Sequence, residues 1–179
     1  MILDKSAIGK ISSLAHLISA LKYGYYHEVL TQSDDLVLSV EELQPYISWN
    51  DKRYTRNCIA RDDYFELILL CWEKGQRTPI HNHDEQECWV KVIQGDFAES
   101  FYAYEPLTHS MKYVGTDIVA QYEVTSIEDQ ALYHSLENIN RGRSMSLHLY
   151  MKPIAECLVY NKSNQKLELR SLQYDTCHS

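Results

Sequence analysis

The sequence predicts an all-β core of barrel or sandwich type entered through N-terminal α-helices, on three observations. Early in the chain apolar residues recur every three or four positions; beyond Arg53 they fall in short runs rich in Val, Ile, Tyr and Thr; and turn residues separate those runs at spacings of about ten. At 179 residues the chain suits one domain with a core that needs no disulfide staples. Its expected parts are a helical segment over about 1–50, a barrel over about 53–160 and a tail over about 161–179, with no internal repeat or low-complexity linker between them.

The first element rests on Ile8, Ile11, Leu14, Leu17, Ile18 and Leu21, one apolar face of a helix over Ser6 to Leu21 that Gly24 ends. Ser39-Val-Glu-Glu42 reads as a capping box opening a second helix, with Pro45 inside or dividing its first turns. Both helices precede the chemistry. Strands follow at Tyr54 to Ala60, Tyr64 to Trp72, Thr78 to His83, Glu87 to Gln94, Phe97 to Tyr104, Met111 to Val114, Val119 to Val124, Ala131 to Leu136 and Met145 to Tyr150. A last strand is expected around Leu167 to Leu169. Gln94-Gly95-Asp96 reads as a tight hairpin turn.

A net charge of -8 without a Lys/Arg cluster excludes a nucleic-acid footprint and favours small neutral or zwitterionic partners. The longest apolar run, Leu67 to Trp72, is too short to span a bilayer, and Met1-Ile-Leu-Asp-Lys5 lacks a signal-peptide pattern, so a soluble cytoplasmic protein is expected, with no membrane partner. Cys58, Cys71, Cys88, Cys157 and Cys177 are odd in number and lack disulfide-framework or zinc spacings, so mostly reduced thiols are expected.

His81 and His83, one residue apart on an expected strand, point to the same side and can converge on one metal ion. Taken alone the pair reads equally well as surface histidines in a polar loop. Strand alternation separates Glu87 from Cys88: Cys88, Val90 and Val92 share one face, Glu87, Trp89, Lys91 and Ile93 the other. Burying Glu87 and Lys91 costs more than burying a thiol and two valines, so Cys88 faces inward and Glu87 falls outside the ligand set. Two histidines hold a metal weakly, and His134, on a late strand that a small barrel can bring beside the pair, is the expected third ligand. His16, His27, His109 and His178 are read as incidental.

Gly75-x5-His81-x-His83-x4-Cys88-x6-Gly95 resembles the first cupin motif, with Cys88 standing where that motif has a metal-binding Glu. His134-x3-Asn138 is similar to the end of the second motif, although Asp129 and Ala131 replace its usual Pro and Gly. Cys in the Glu position resembles the thiol dioxygenases. Tyr54-Thr-Arg-Asn57, Leu70-Cys-Trp72, Ile93-Gln-Gly95 and Ser146-Leu-His-Leu-Tyr150 resemble segments of the cysteine dioxygenase type I family, in the same order. The resemblance implies a cupin double-stranded β-helix (jelly-roll) barrel with a metal in its mouth.

It further implies a mononuclear Fe(II) carried by His81, His83 and His134, with L-cysteine and O2 as substrates and cysteine sulfinic acid as product. Arg56, on one strand face with Tyr54, would anchor the substrate carboxylate, and Arg at that position marks the cysteine enzymes over the 3-mercaptopropionate enzymes. Ser146 and His148 would orient Tyr150 near the iron, and Cys88 and Tyr150 match the positions of a thioether crosslink in the animal enzymes. Cys157 would flank the site entrance. Where the family often has Ser-Pro with a cis bond after the tyrosine, this chain reads Tyr150-Met-Lys-Pro153. The family implies a monomer. The competing functions are a dioxygenase of 3-mercaptopropionate or another small thiol, and a non-oxygenase metal-binding cupin.

Overall fold

The computed structural model describes residues 8–83, 86–126 and 132–177. Three helices, α1 (Leu14–Lys22), α2 (Tyr26–Thr31) and α3 (Val40–Leu43), precede β1 (Thr55–Arg61) and β2 (Glu66–Trp72). Then come β3 (Cys88–Gln94), β4 (Phe97–Glu105), β5 (Ser110–Val119), β6 (Val124–Ser126), β7 (Leu132–Asn138) and β8 (Ser144–Tyr150). The chain closes on β9 (Glu156–Asn161), β10 (Lys166–Ser171) and β11 (Thr176–Cys177).

Helix α1 starts at Leu14, later than the periodicity predicts, because extended Ser13 caps it by accepting from His16 N at 3.1 Å. Ile11 is buried all the same, as part of a non-helical lead-in. Ser6 and Ala7 lie outside the described residues. The capping box at Ser39 and Glu42 is present, and Pro45 falls in a 3-10 turn, Gln44–Tyr46, that continues α3. α2 has six residues, too few to leave a periodic signal.

Two walls make the barrel. One is a sheet in the order β11-β1-β2-β8-β3-β6. The other is built from β5-β4-β7 and β9-β10, joined by the segment 76–82, whose backbone bonds β7 on one side and β9 on the other. The predicted strand Thr78 to His83 is therefore this stitch of isolated bridges and not a regular strand, as Pro79 has no N–H to give a ladder. The two predicted strands over 111–124 are one long β5 and a short β6 after a turn at Ala120–Glu123. β9 and β11 had no expectation. Gly95 turns a corner between walls, since β3 pairs with β8 and β6 while β4 pairs with β5 and β7; it is not a hairpin.

Alternation distributes the side chains. Leu67, Leu69 and Cys71 of β2 and Leu147 and Leu149 of β8 pack outward against Leu14, Leu17, Leu21 and Leu43 of the helical segment. Ile68, Leu70 and Trp72 face Val90, Phe97, Leu136 and Val159 inside the barrel. Both faces of β2 are covered, which is why its sequence is a continuous apolar run. Lys91 corrects an expectation: it is 5% exposed, because the outer face of β3 meets the helical layer and not water. Its ammonium bonds the carbonyls of Asp34, at 2.9 Å, and Tyr122, and burial lowers its pKa.

Candidate metal centre

His81 lies opposite His134 in an antiparallel bridge between the stitch and β7, so the two side chains leave the backbone on one face. His83 follows at the same parity, and the ring centroids are 5.2 Å (His81–His83), 4.5 Å (His81–His134) and 4.7 Å (His83–His134) apart. One ring nitrogen from each lies within 4.8 Å of the other two, the distance scale of ligands around a single ion.

The free nitrogens are set by what holds the others. His134 Nδ1–H donates to Glu99 Oε1 at 2.7 Å, and His81 Nδ1–H donates to the carbonyl of Pro79 at 3.0 Å, which leaves each Nε2 as a lone pair. Burial, with His134 alongside, lowers the His81 pKa to about 3, and burial with the same neighbours holds His83 well below the ordinary value. His83 Nε2 and His134 Nε2 stand 3.0 Å apart, a contact of two basic nitrogens that a cation between the rings would satisfy. Neutral donors, a buried second-layer carboxylate and converging lone pairs fit a divalent metal. Glu99 also accepts from Thr125 Oγ1 at 2.6 Å. The sequence reading did not single it out, although it shares strand parity with inward Phe97, and a carboxylate at such a position needs a partner.

Cys88 on β3 is buried and directly opposite Tyr150 on β8; Glu87 is exposed. Ser146, His148 and Tyr150 line the inner face of β8. Trp72 Nε1–H donates to Ser146 Oγ at 2.9 Å, and Ser146 in turn lies 2.9 Å from His148 Nε2. That order makes Ser146 the donor to Nε2 and leaves the proton of neutral His148 on Nδ1, which is buried without a partner. Burial and then Arg56 keep the His148 pKa well below its ordinary value. His148 stacks beside Tyr150 with ring centroids 6.3 Å apart, and no hydrogen bond joins them.

Arg56 on β1 is buried, and its Nε and Nη2 have no partner. Tyr54, two residues before it, stacks on Trp72 with centroids 4.5 Å apart. Buried Glu66 accepts from Tyr174 and, at 3.4 Å, from Ile154 N; burial raises its pKa, with Arg56 opposing. Tyr54, Arg56 and Tyr174 border a cavity of about 730 Å3 that also reaches His81, His83, His134, His148 and Tyr150. Cys157 lines it too. Lys52, Arg53, Lys74, Arg77 and Arg170 add cationic lining, and no carboxylate lines the cavity among the described residues, although Arg53, Arg77 and Arg170 are ion-paired with Asp175, Glu137 and Glu168 behind it. His16 and His27 lie on helices; His109 bonds Tyr104 Oη at 2.9 Å. Asp129, Ala131 and His178 lie outside the described residues, and no peptide bond among those described is cis.

The family model described as "Cysteine dioxygenase type I" matches residues 9–163. The chain is 27% identical over 169 residues to "Cysteine dioxygenase type 1" of Bos taurus, covering 89% of this chain and 84% of that protein. The protein of the same name from Danio rerio is also 27% identical, over 178 residues, covering 89% and 85%. Among solved structures, an uncharacterised Klebsiella pneumoniae protein with a double-stranded β-helix domain superposes with a TM-score of 0.50 at 8% identity, over 72% of this chain and 87% of that one. A Thermus thermophilus protein gives 0.50 at 12% identity, over 62% and 93%. These likenesses carry the fold: a double-stranded β-helix barrel with N-terminal helices.

Proposed function

The chain belongs to the cysteine dioxygenase type I family, and from that premise we propose that it converts L-cysteine and O2 to cysteine sulfinic acid with Fe(II) held by His81, His83 and His134. The observation that carries this reading is the unpartnered, buried edge of Arg56 opening on the same cavity as the three-histidine cluster. A buried guanidinium edge without a partner is costly, and the planar carboxylate of an amino acid matches it with paired charged hydrogen bonds. Fe(II) held by His81, His83 and His134 would supply the redox chemistry that joins dioxygen to the substrate sulfur.

The chain's own residues do the rest. Arg56 binds the carboxylate, and Tyr54, braced on Trp72, closes that side. Burial and then Cys88 push the Tyr150 phenol well above its ordinary pKa, so it stays a hydrogen-bond donor facing the cavity. The free Nδ1–H of His148 offers a second donor to a developing sulfinate oxygen. Inward apolar residues such as Leu70, Leu136 and Val159 limit water around the reacting sulfur. The Cys88 thiol opposite Tyr150 is the partner for a thioether at the phenol ring. That bond forms with loss of two hydrogens to dioxygen, so intact mass after turnover with iron, cysteine and O2 is expected to fall by about 2 Da, resistant to reductant. Active enzyme of unchanged mass refutes the crosslink. We read the chain as one cupin domain acting as a cytoplasmic monomer; among the described residues no helix is long and apolar enough to cross a membrane.

One observation favours a second substrate, 3-mercaptopropionate or a similar thiol: among the described residues no carboxylate lines the cavity to receive an ammonium group. Anaerobic loading with Fe(II), followed by cysteine or 3-mercaptopropionate with O2 and identification of the product, separates the readings. Cysteine sulfinate formed at the higher kcat/KM supports the proposal. Preference for the amine-free thiol overturns its substrate, and bound zinc with no thiol-dependent oxygen uptake overturns the oxygenase in favour of a metal-binding cupin.

A further inference from the structure

We propose that Cys58 and Cys177 are a redox modification site, a dithiol that closes to a cross-strand disulfide by exchange with a low-molecular-weight disulfide and staples β11 to the strand carrying Arg56. Cys58 and Cys177 are register partners in the parallel β1–β11 pair. Facing residues of neighbouring strands lie about 4.8 Å apart with side chains on one face, inside the Cα window of roughly 4.4–6.8 Å that a disulfide needs. After burial, Cys177 is the largest influence on the Cys58 thiol, whose pKa it raises. Neither is used by the metal centre, and no other pair of described cysteines shares a strand register.

Exposure orders the steps. Cys177 is exposed and Cys58 is buried beneath it. The Cys177 thiolate attacks the small disulfide, forming a mixed disulfide and releasing one thiol; the Cys58 sulfur then displaces the second. Two protein thiols are oxidised, one small disulfide is reduced to two thiols, and the two thiol protons pass to the leaving groups. Burial, followed by the contact with Cys177, raises Cys58 to about 12, so the second step is the slow one.

The staple acts beside the cavity wall. β11 has two residues, yet its approach holds the anchor strand: Asp175 takes two hydrogen bonds from Arg53, at 2.6 and 2.9 Å, and one from Arg56 N at 2.9 Å. Asp175 N donates to Arg56 O at 2.7 Å, Thr176 Oγ1 to Asn57 Oδ1 at 3.0 Å, and Tyr174 to Glu66. Leu172, Gln173 and Tyr174 line the cavity itself. A two-residue strand opens at low cost, and a covalent link to β1 removes that opening.

The test uses the full chain, reduced, desalted and held under argon so that no dioxygenase turnover occurs. It is treated with cystine, alkylated and mapped by mass spectrometry. The expected result is a peptide linking Cys58 to Cys177, about 2 Da lighter than the two thiols and opened by reductant, unlike a thioether. The melting midpoint of the cystine-treated chain is expected to rise by roughly 5 °C or more, with no rise in Cys177→Ser or Cys58→Ala. Since Cys177 is exposed, its serine variant is expected to fold even if the buried Cys58 variant does not. Arrest at a half-cystine adduct on Cys177, two untouched thiols, or a link elsewhere overturns the proposal. None of these outcomes depends on iron or on the substrate assigned above.

Discussion

Pro79 O and Glu99 Oε1 decide which nitrogen His81 and His134 turn toward the cavity, so each acts on a metal it does not touch. Glu99→Gln keeps the shape of the side chain but weakens the charged acceptor for His134. Metal titration is expected to show affinity lower by about 10- to 100-fold, and unchanged affinity would remove Glu99 from the site. Arg56→Ala removes a charged partner, and kcat/KM for carboxylate-bearing thiols is expected to fall by roughly 30- to 900-fold, from about 2 to 4 kcal/mol of lost binding and positioning. Wild-type kinetics with cysteine would show that the anchor lies elsewhere. At this scale the sequence exposes residue types and spacing, so His81, His83, Cys88 and Arg56 stand out. Glu99, Glu66 and Tyr174 do not, because a carboxylate or phenol on a strand looks alike whether it faces solvent or a buried partner across the barrel.

Among elements, the stitch over 76–82 shows how a metal-ligand segment differs from a strand. Pro79 breaks the ladder, and the bridges of His81 to His134 and Val159 on either side keep the histidines aimed at the same side as a strand would. Parity therefore survives where regular structure does not, which is why the His-x-His spacing was informative despite the wrong element. Gly95 is the corresponding constraint at the corner between walls. It has φ +83°, and a Cβ there would lie 2.0 Å from Ser144 Oγ and 2.9 Å from Ser144 Cβ. Gly95→Ala is expected to destabilise the fold by about 2–4 kcal/mol, read as a lower urea midpoint, since backbone strain and a clash with buried Ser144 add. A midpoint unchanged from wild type would mean the corner can shift. The tight turn was legible from the glycine; its partners on β8 were not, because they come from 49 residues along the chain, as the paired Gln94 and Arg143 do.

In the molecule as a whole, charge is unevenly placed: an overall -8 coexists with a cavity that is lined, among the described residues, by cations and no carboxylate. The net charge argues against a nucleic-acid surface but carries no information about the recess, since composition averages over positions that folding separates. Asp175 ties the last strand to the first across this wall. Its pKa is lowered, chiefly by Arg53, with burial opposing. A carboxylate depressed in the folded state contributes its full stability above the unfolded value of about 3.9 and loses it as pH falls through the folded value. Asp175→Asn is therefore expected to cost about 1 kcal/mol at pH 7, after allowance for solvent screening, with the difference from wild type disappearing near pH 2 in paired urea melts. A difference equal at both pH values would assign the loss to packing and not to charge.

The amino-acid sequence by itself determined the all-β class, the inward face of β3 and the residue types of the metal centre, because alternation and ligand spacing are local properties of the chain. Only the tertiary structure decided that the helices cover the outer face of the six-stranded sheet, that Lys91 is buried, that Glu99 backs His134 and that Cys58 meets Cys177. Those facts are contacts between segments distant in sequence, and no local pattern records which strand edge, or which side of a sheet, a distant segment will cover.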